Sequence, residues 1–350
     1  MTVPPTFSVI PGAQVRQVLR GREGEVVQLV ESAYRLHAEG HSVNPPSYFL
    51  RFSDRPSSRI IALPASLGGT APVDGLKWIS SFPGNVTEGL PRASGVLILN
   101  DPGTGYPYAC LEASVISAAR TAALAVSAAD WLSRDRTRPR RLGVVGTGLI
   151  ARYVHTFLEA TGWTFDEIGL HDIASESVVG FRDYLYRSAA SGRTTAHENA
   201  ADLIAESDLV LFTTVASEPH VHDPRCFAHG PLVLHLSLRD LAPEILIGST
   251  NIVDDVEHCL KANTSPHLTE QLTGNREFLA GTLADVVAGR IRIPDDRPVV
   301  FSPFGLGVLD LALGRMVHAE VAGSGELTEI PGFFDELTRF GTDREPTPCP

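Results

Sequence analysis

The segment Arg141-Leu-Gly-Val-Val-Gly-Thr-Gly-Leu-Ile-Ala151 constrains this chain more than any other. Residues 142–145 form the kind of apolar run that a buried parallel strand needs, and residues 152–160 carry a helical pattern. Between them lies Gly146-x-Gly148-x-x-Ala151, a dinucleotide-binding glycine pattern in the strand–turn–helix context it requires. Gly146 permits the tight turn, Gly148 lets backbone amides approach a pyrophosphate, and Ala151 keeps helix and strand close. The turn and first helical residues, Thr147, Gly148, Leu149 and Ile150, offer N–H groups and a partial positive charge to phosphate. A second strand-like run, 167–171, is followed by Asp172, an acid placed to accept from a ribose 2′-hydroxyl.

Everything before this turn has a different rhythm. Residues 23–39 have helical apolar spacing, at Val26, Val27, Leu29, Val30, Ala33, Tyr34 and His37. Strand-like pieces follow at 47–52, 59–66, 75–80 and 93–100, punctuated by Gly68-Gly69 and Asp101-Pro-Gly103. A small-residue helix is expected over 110–132. From 140 to 305 strands at 142–145, 167–171, 194–196, 209–213, 232–236 and 251–253 alternate with helices, which predicts a doubly wound parallel sheet. A final helix over 311–322 is expected to return to the first domain, and 341–350 has the composition of a turn-rich tail. The fold class is therefore α/β, with a Rossmann-type doubly wound sheet inserted into a mixed α+β domain.

Composition removes several classes of function. Lys and Arg number 29 against 41 Asp and Glu, a net charge of −12, with both signs mixed along the chain. No basic stripe for nucleic acid and no polybasic membrane patch results. The N-terminal segment lacks the basic and apolar regions of a signal peptide, and no run reaches the ~18–20 apolar residues of a membrane span. Cys110, Cys226, Cys259 and Cys349 are widely spaced, which predicts free thiols in a reducing cytoplasm. His220 and His222 lie among Pro219 and Pro224, so they read as loop histidines and no metal is expected.

Three cations sit where charge is costly. Lys77 lies in a strand between Leu76 and Trp78, Arg92 opens the apolar strand 96–99, and Arg120 interrupts an alanine-rich helix. Each needs an anionic partner. Internal ion pairs or solvent-reaching stems are one solution; a pocket for carboxylates, which Arg grips with a bidentate fork, is the other.

Lys77 in Gly-Leu-Lys-Trp, the helix Ser117-Ala-Ala-Arg-Thr-Ala-Ala123, Gly146-x-Gly148, Asp240 and Phe304-Gly-Leu-Gly-Val-Leu-Asp310 resemble the ornithine cyclodeaminase/mu-crystallin family. The resemblance runs from about residue 20 to 325. It implies a substrate-binding and dimerisation domain over 1–125, an NAD-binding Rossmann domain over 126–310, and a returning helix with its tail over 311–350. It implies a homodimer, substrate-carboxylate roles for Lys77 and Arg120, and a catalytic Asp240. Thr213, Thr214 and Val215 would line the cofactor's adenosine and ribose, and Gly305 would lie near the nicotinamide. Two departures stand out. Where the family usually has Pro-Pro-Arg this chain has Pro45-Pro46-Ser47, so Arg51 is the candidate replacement, and Arg92 stands where a small polar residue is usual.

The segments Asn44-Pro-Pro-Ser-Tyr-Phe-Leu-Arg-Phe52, Lys77-Trp-Ile-Ser-Ser-Phe-Pro83, Pro91-Arg-Ala-Ser94 and Ser302-Pro-Phe-Gly-Leu-Gly307 are similar to one branch of that family. Its members oxidise N-(2-amino-2-carboxyethyl)-L-glutamate with NAD, giving 2,3-diaminopropionate and 2-oxoglutarate for siderophore and peptide-antibiotic pathways. A pyridoxal-phosphate-dependent synthase is the expected pathway neighbour. Three substrate carboxylates suit Lys77, Arg92 and Arg120. Asp240 would serve as base and then acid, or would cap the helix after it, and Lys77 is the alternative base. Rival readings are an ornithine cyclodeaminase, an alanine-type dehydrogenase, a ketimine reductase, or a non-catalytic nucleotide-dependent binding protein of the mu-crystallin kind.

Overall fold

The structure is a computed structural model that describes residues 5–188 and 192–335. The expected tail at 341–350, with Cys349, lies outside the described residues. The chain divides into two units. One comprises residues 1–20, 40–116 and 310–350; the other comprises 21–39 and 117–309.

The first unit is built on an eight-stranded sheet. Its order is Thr328–Glu329, Ser8–Ile10, Pro107–Glu112, Ala93–Asn100, Val73–Ser81, Arg59–Leu67 and Ser42–Val43, with Tyr48–Arg51 also pairing with Arg59–Leu67. All pairs are antiparallel except Ser8–Ile10 with Pro107–Glu112. Strand alternation sets the two faces. Leu97, Leu99, Ala109 and Leu111 are fully buried on one. On the other, Tyr48, Ala62, Trp78 and Val96 stand in one register row, and the three large side chains among them are exposed. Lys77 pairs in register with Leu63 and Leu97, so its position belongs to the buried face.

The second unit carries an all-parallel sheet ordered Arg193–Ala196, Glu167–His171, Arg141–Val145, Leu209–Phe212, Leu232–His235, Val299–Ser302, Thr250–Val253 and Leu279–Thr282. The chain order reverses between Arg141–Val145 and Leu209–Phe212, the switch point outside whose carboxyl ends such sheets bind ligands. The sheet is wider than the six expected strands. Val299–Ser302 inserts between Leu232–His235 and Thr250–Val253, and Leu279–Thr282 forms the edge. Val299-Val-Phe-Ser302 is wholly buried, and four residues between prolines are too few to show any period.

The helix expected over 110–132 begins later, at Ser114–Leu132. Residues 107–112 form a strand instead, because their alternation buries Ala109 and Leu111 between two neighbouring strands. Glu112 then marks the turn into the helix, its carboxylate accepting from the amides of Ser114 at 2.7 Å and Val115 at 3.2 Å. By length and hydropathy alone this helix would suffice to cross a membrane, but most of it is packed inside the protein.

Candidate active site

The glycine turn behaves as its sequence requires. Gly146 has φ of +88°, and a side chain there would press within 3.0 Å of the backbone of Thr213 and Thr214. The turn is sewn to its neighbours by Gly146 N donating to His171 O at 2.9 Å and Thr213 Oγ1 donating to Gly146 O at 2.5 Å. Gly148 follows as N-cap of the helix Leu149–Ala160, with no side chain capping that helix and open space where a Cβ would point. Open amides above a bare glycine fit a pyrophosphate. Leu149 and Val215 are exposed beside this crevice, and Ile150 is half-buried.

Asp172 follows Glu167–His171 and is half-buried. Its Oδ2 accepts from Thr147 N at 2.7 Å and Thr147 Oγ1 at 3.1 Å, and its Oδ1 from Ala174 N at 3.0 Å. Thr147 is thus turned inward to hold the acid. Its amide is spent on Asp172, and the outward amides belong to the residues after it.

Asp240 sits in the turn after Leu232–His235 and has no exposure. It does not cap the following helix, Pro243–Ile247, whose N-cap is Ala242. Its Oδ1 accepts from Thr214 Oγ1 and from His220 Nε2 at 3.0 Å; its Oδ2 accepts from Ser237 Oγ and lies 3.1 Å from His235 Nε2, which also lies 3.1 Å from the Asp240 amide. Burial works to raise its pKa, but the hydrogen bonds from His220, His235 and Ser237 and the charge of His235 overcome it and hold the carboxyl far below its usual range. The turn that carries it is strained: Leu238 has φ of +80°, a conformation costing about 1–3 kcal/mol for a non-glycine residue.

Arg120 is nearly buried and donates to Ser117 Oγ at 3.4 Å. Gly305 lies against it, with φ of +94°, so that a Cβ there would come within 2.6 Å of Arg120 Nη1. The loop is held from behind by the buried Asp254, whose oxygens accept from Phe304 N at 2.9 Å and Gly305 N at 2.7 Å.

In the first unit Lys77 Nζ donates to Asp310 Oδ2 at 2.6 Å, with both side chains buried. Arg92 is half-buried and donates from Nη1 to Ser81 Oγ at 2.7 Å; burial lowers its pKa. Arg51 is exposed, its guanidinium 5.0 Å from the Phe49 ring centroid, and Ser47 is half-buried just ahead of its strand. His220, Asp254 and Asp310 carry the polar contacts of these clusters although the sequence offers none of them as a site residue: His220 reads as a loop histidine and Asp310 only closes the 304–310 motif. Histidine beside Pro219 signals a loop, and only the fold brings it to an acid twenty positions away.

These features define an α/β protein with a dinucleotide crevice at the switch point of one unit and desolvated cations in both. The chain belongs to the ornithine cyclodeaminase/mu-crystallin family, whose model matches residues 13–325. It is 31% identical to the N-((2S)-2-amino-2-carboxyethyl)-L-glutamate dehydrogenase of Staphylococcus aureus over 84% of this chain and 89% of that one. It is 30% identical to an alanine dehydrogenase of Archaeoglobus fulgidus over 88% and 94% of the respective chains. Among solved structures, an archaeal alanine dehydrogenase dimer with bound NAD superposes with a TM-score of 0.83 at 25% identity, covering 94% of this chain and 100% of the other.

Proposed function

We propose that this protein oxidises N-(2-amino-2-carboxyethyl)-L-glutamate and hydrolyses the resulting imine, releasing 2,3-diaminopropionate and 2-oxoglutarate for siderophore or peptide-antibiotic synthesis. NAD is the cofactor, held by the Gly146–Ile150 turn and helix, by Asp172 on the ribose, and by Thr213, Thr214, Val215 and Gly305. Bound NAD supplies the acceptor for the hydride that leaves the substrate carbon. The protein's own residues neutralise the carboxylates, orient the amine and manage its protons.

The observation that carries the substrate class is Arg92. It is desolvated, yet among the described residues its hydrogen-bond partner is the neutral Ser81 hydroxyl and no carboxylate pairs with it. A cation stripped of water without a protein anion leaves room for an anion from a ligand. Arg120 and Lys77 are the further carboxylate contacts in this reading, with Ser47 and Arg51 in the departure from Pro-Pro-Arg. Ornithine fits worse, because its second ammonium would meet Arg92 with like charge. The 31% identical relative, named for this same dehydrogenation, supports the reading.

The same reading makes the protein a cytoplasmic homodimer working beside a pyridoxal-phosphate-dependent synthase. Tyr48, Trp78 and Val96 are 68%, 40% and 38% exposed along one row of the first sheet, an apolar face that a second copy would cover.

Purified enzyme with NAD and the tricarboxylate amine should generate NADH and stoichiometric 2-oxoglutarate, with ornithine and alanine far slower. Proline formation from ornithine, or NADH from alanine, at matching rates would overturn the substrate assignment.

A further inference from the structure

Asp240 has both oxygens filled by protein donors and no surface, so it has no lone pair facing a substrate. Of its four side-chain partners His220 is the most exposed, with 39% of its side chain open to solvent; Thr214 and Ser237 are half-buried and His235 is buried. Its place is fixed from both sides. The His220 amide donates to Asp240 O at 3.0 Å, and Val221 bridges Leu241 in the next turn. A carboxylate only accepts, so Nε2 carries the hydrogen and Nδ1 carries the lone pair. No protein group among the described residues hydrogen-bonds Nδ1. Asp240, linked onward to His235, is the acid on this ring; Glu218 and His222, both exposed, flank it on its own segment. The cluster stands at the carboxyl ends of Leu209–Phe212 and Leu232–His235, and its member Thr214 abuts the Gly146 turn.

We infer that His220 is the group that takes and returns protons in the reaction, while Asp240 is the buried anion that fixes its tautomer and orientation. This rests on the dehydrogenase reading above. Nδ1 takes a proton from the substrate's secondary ammonium, leaving the neutral amine whose α-carbon gives up hydride. That proton passes to solvent. When water adds to the C=N carbon, the C–O bond forms and Nδ1 takes one of the water's two protons. Nδ1 then returns it to nitrogen; the C–N bond breaks with its electrons on the departing amine, and the proton left on the hydroxyl passes through the freed Nδ1 to solvent as C=O forms. Such an arrangement of base and orienting acid is the general one for proton transfer.

The test compares wild type, His220→Gln and His220→Gly over a range of pH. His220→Gln should lower kcat by ~10²–10⁴-fold and remove the acidic limb of the rate profile. NAD affinity, read by quenching of protein fluorescence, and Tm should stay close to wild type. Added imidazole should restore part of the His220→Gly rate, which a structural histidine would not allow. Retention of kcat within about threefold with an unchanged acidic limb would overturn the inference. If wild type ignores the tricarboxylate but oxidises alanine or ornithine, only the substrate reading fails. The same comparison on that amino acid then decides the role of His220, since every such amine must lose a proton before hydride leaves.

Discussion

Lys77 and Asp310 are 233 positions apart in sequence and meet through a 2.6 Å hydrogen bond between Nζ and Oδ2, with side-chain exposures of 2% and 0%. One comes from the middle of Val73–Ser81 and the other from the first turn of the helix Gly307–Gly323. Asp310→Ala should therefore cost about 3–5 kcal/mol, because it leaves an ammonium buried without its anion. The pair Lys77→Met with Asp310→Leu should recover most of that in urea unfolding. If Lys77 also holds substrate, the double variant will be folded and inactive; normal turnover in it would confine Lys77 to a structural role.

Arg92 should behave in the opposite way. Its guanidinium has no carboxylate among the described residues, so Arg92→Met should leave Tm unchanged or raise it. KM for the tricarboxylate should meanwhile rise ~10- to 100-fold, the cost of about 1.5–3 kcal/mol for a lost charge-assisted hydrogen bond. A folded variant with unaltered KM would remove Arg92 from the site.

The contrast between these two cations shows where sequence stops. That Lys77, Arg92 and Arg120 need anions follows from charge in apolar context. Which anion each receives depends on register and on elements hundreds of residues away, and no local pattern holds that information. The glycine turn was legible because its function and its conformation are the same requirement. The small residues after Cys110 predict a helix from that position, but strand pairing on both sides of Pro107–Glu112 overrides the local preference.

Arg120→Ala should keep the fold and lose roughly 10- to 100-fold in kcat/KM. Gly305→Ala should do similar damage for a different reason: a Cβ at φ +94° is strained and would strike Arg120 Nη1. Because both changes act on one guanidinium, the double variant should lose clearly less than the sum of the two. Additive losses within about 0.5 kcal/mol would mean that the two positions act independently.

Asp172 predicts NAD over NADP. A carboxylate repels a 2′-phosphate, and Ile173-Ala-Ser-Glu-Ser177 brings no basic residue to offset it. Asp172→Ala should narrow the preference, but it also frees Thr147 N and Oγ1, so affinity for both cofactors should fall together. Equal or better kcat/KM with NADP in the wild type would sink the assignment.

Asp240→Asn should destabilise the protein as well as silence it. An amide can accept at one oxygen only, and its NH2 would face two of the four side chains that now meet the carboxylate. The expected cost is about 1–3 kcal/mol. Turnover should fall as far as in His220→Gln, because His220 would lose its tautomer and its counter-charge together. The pH dependence separates the two effects. Asp240 is held far below its unfolded pKa, so the stability its charge contributes is fully present above pH ~3.9 and is lost only as pH falls through the lowered folded value. The Tm gap between wild type and Asp240→Asn should therefore stay constant from neutrality down to about pH 5 and narrow below about pH 4. A gap that instead widens with acid would mean that Asp240 is protonated in the folded protein, and Asp240 itself would again be the candidate proton donor.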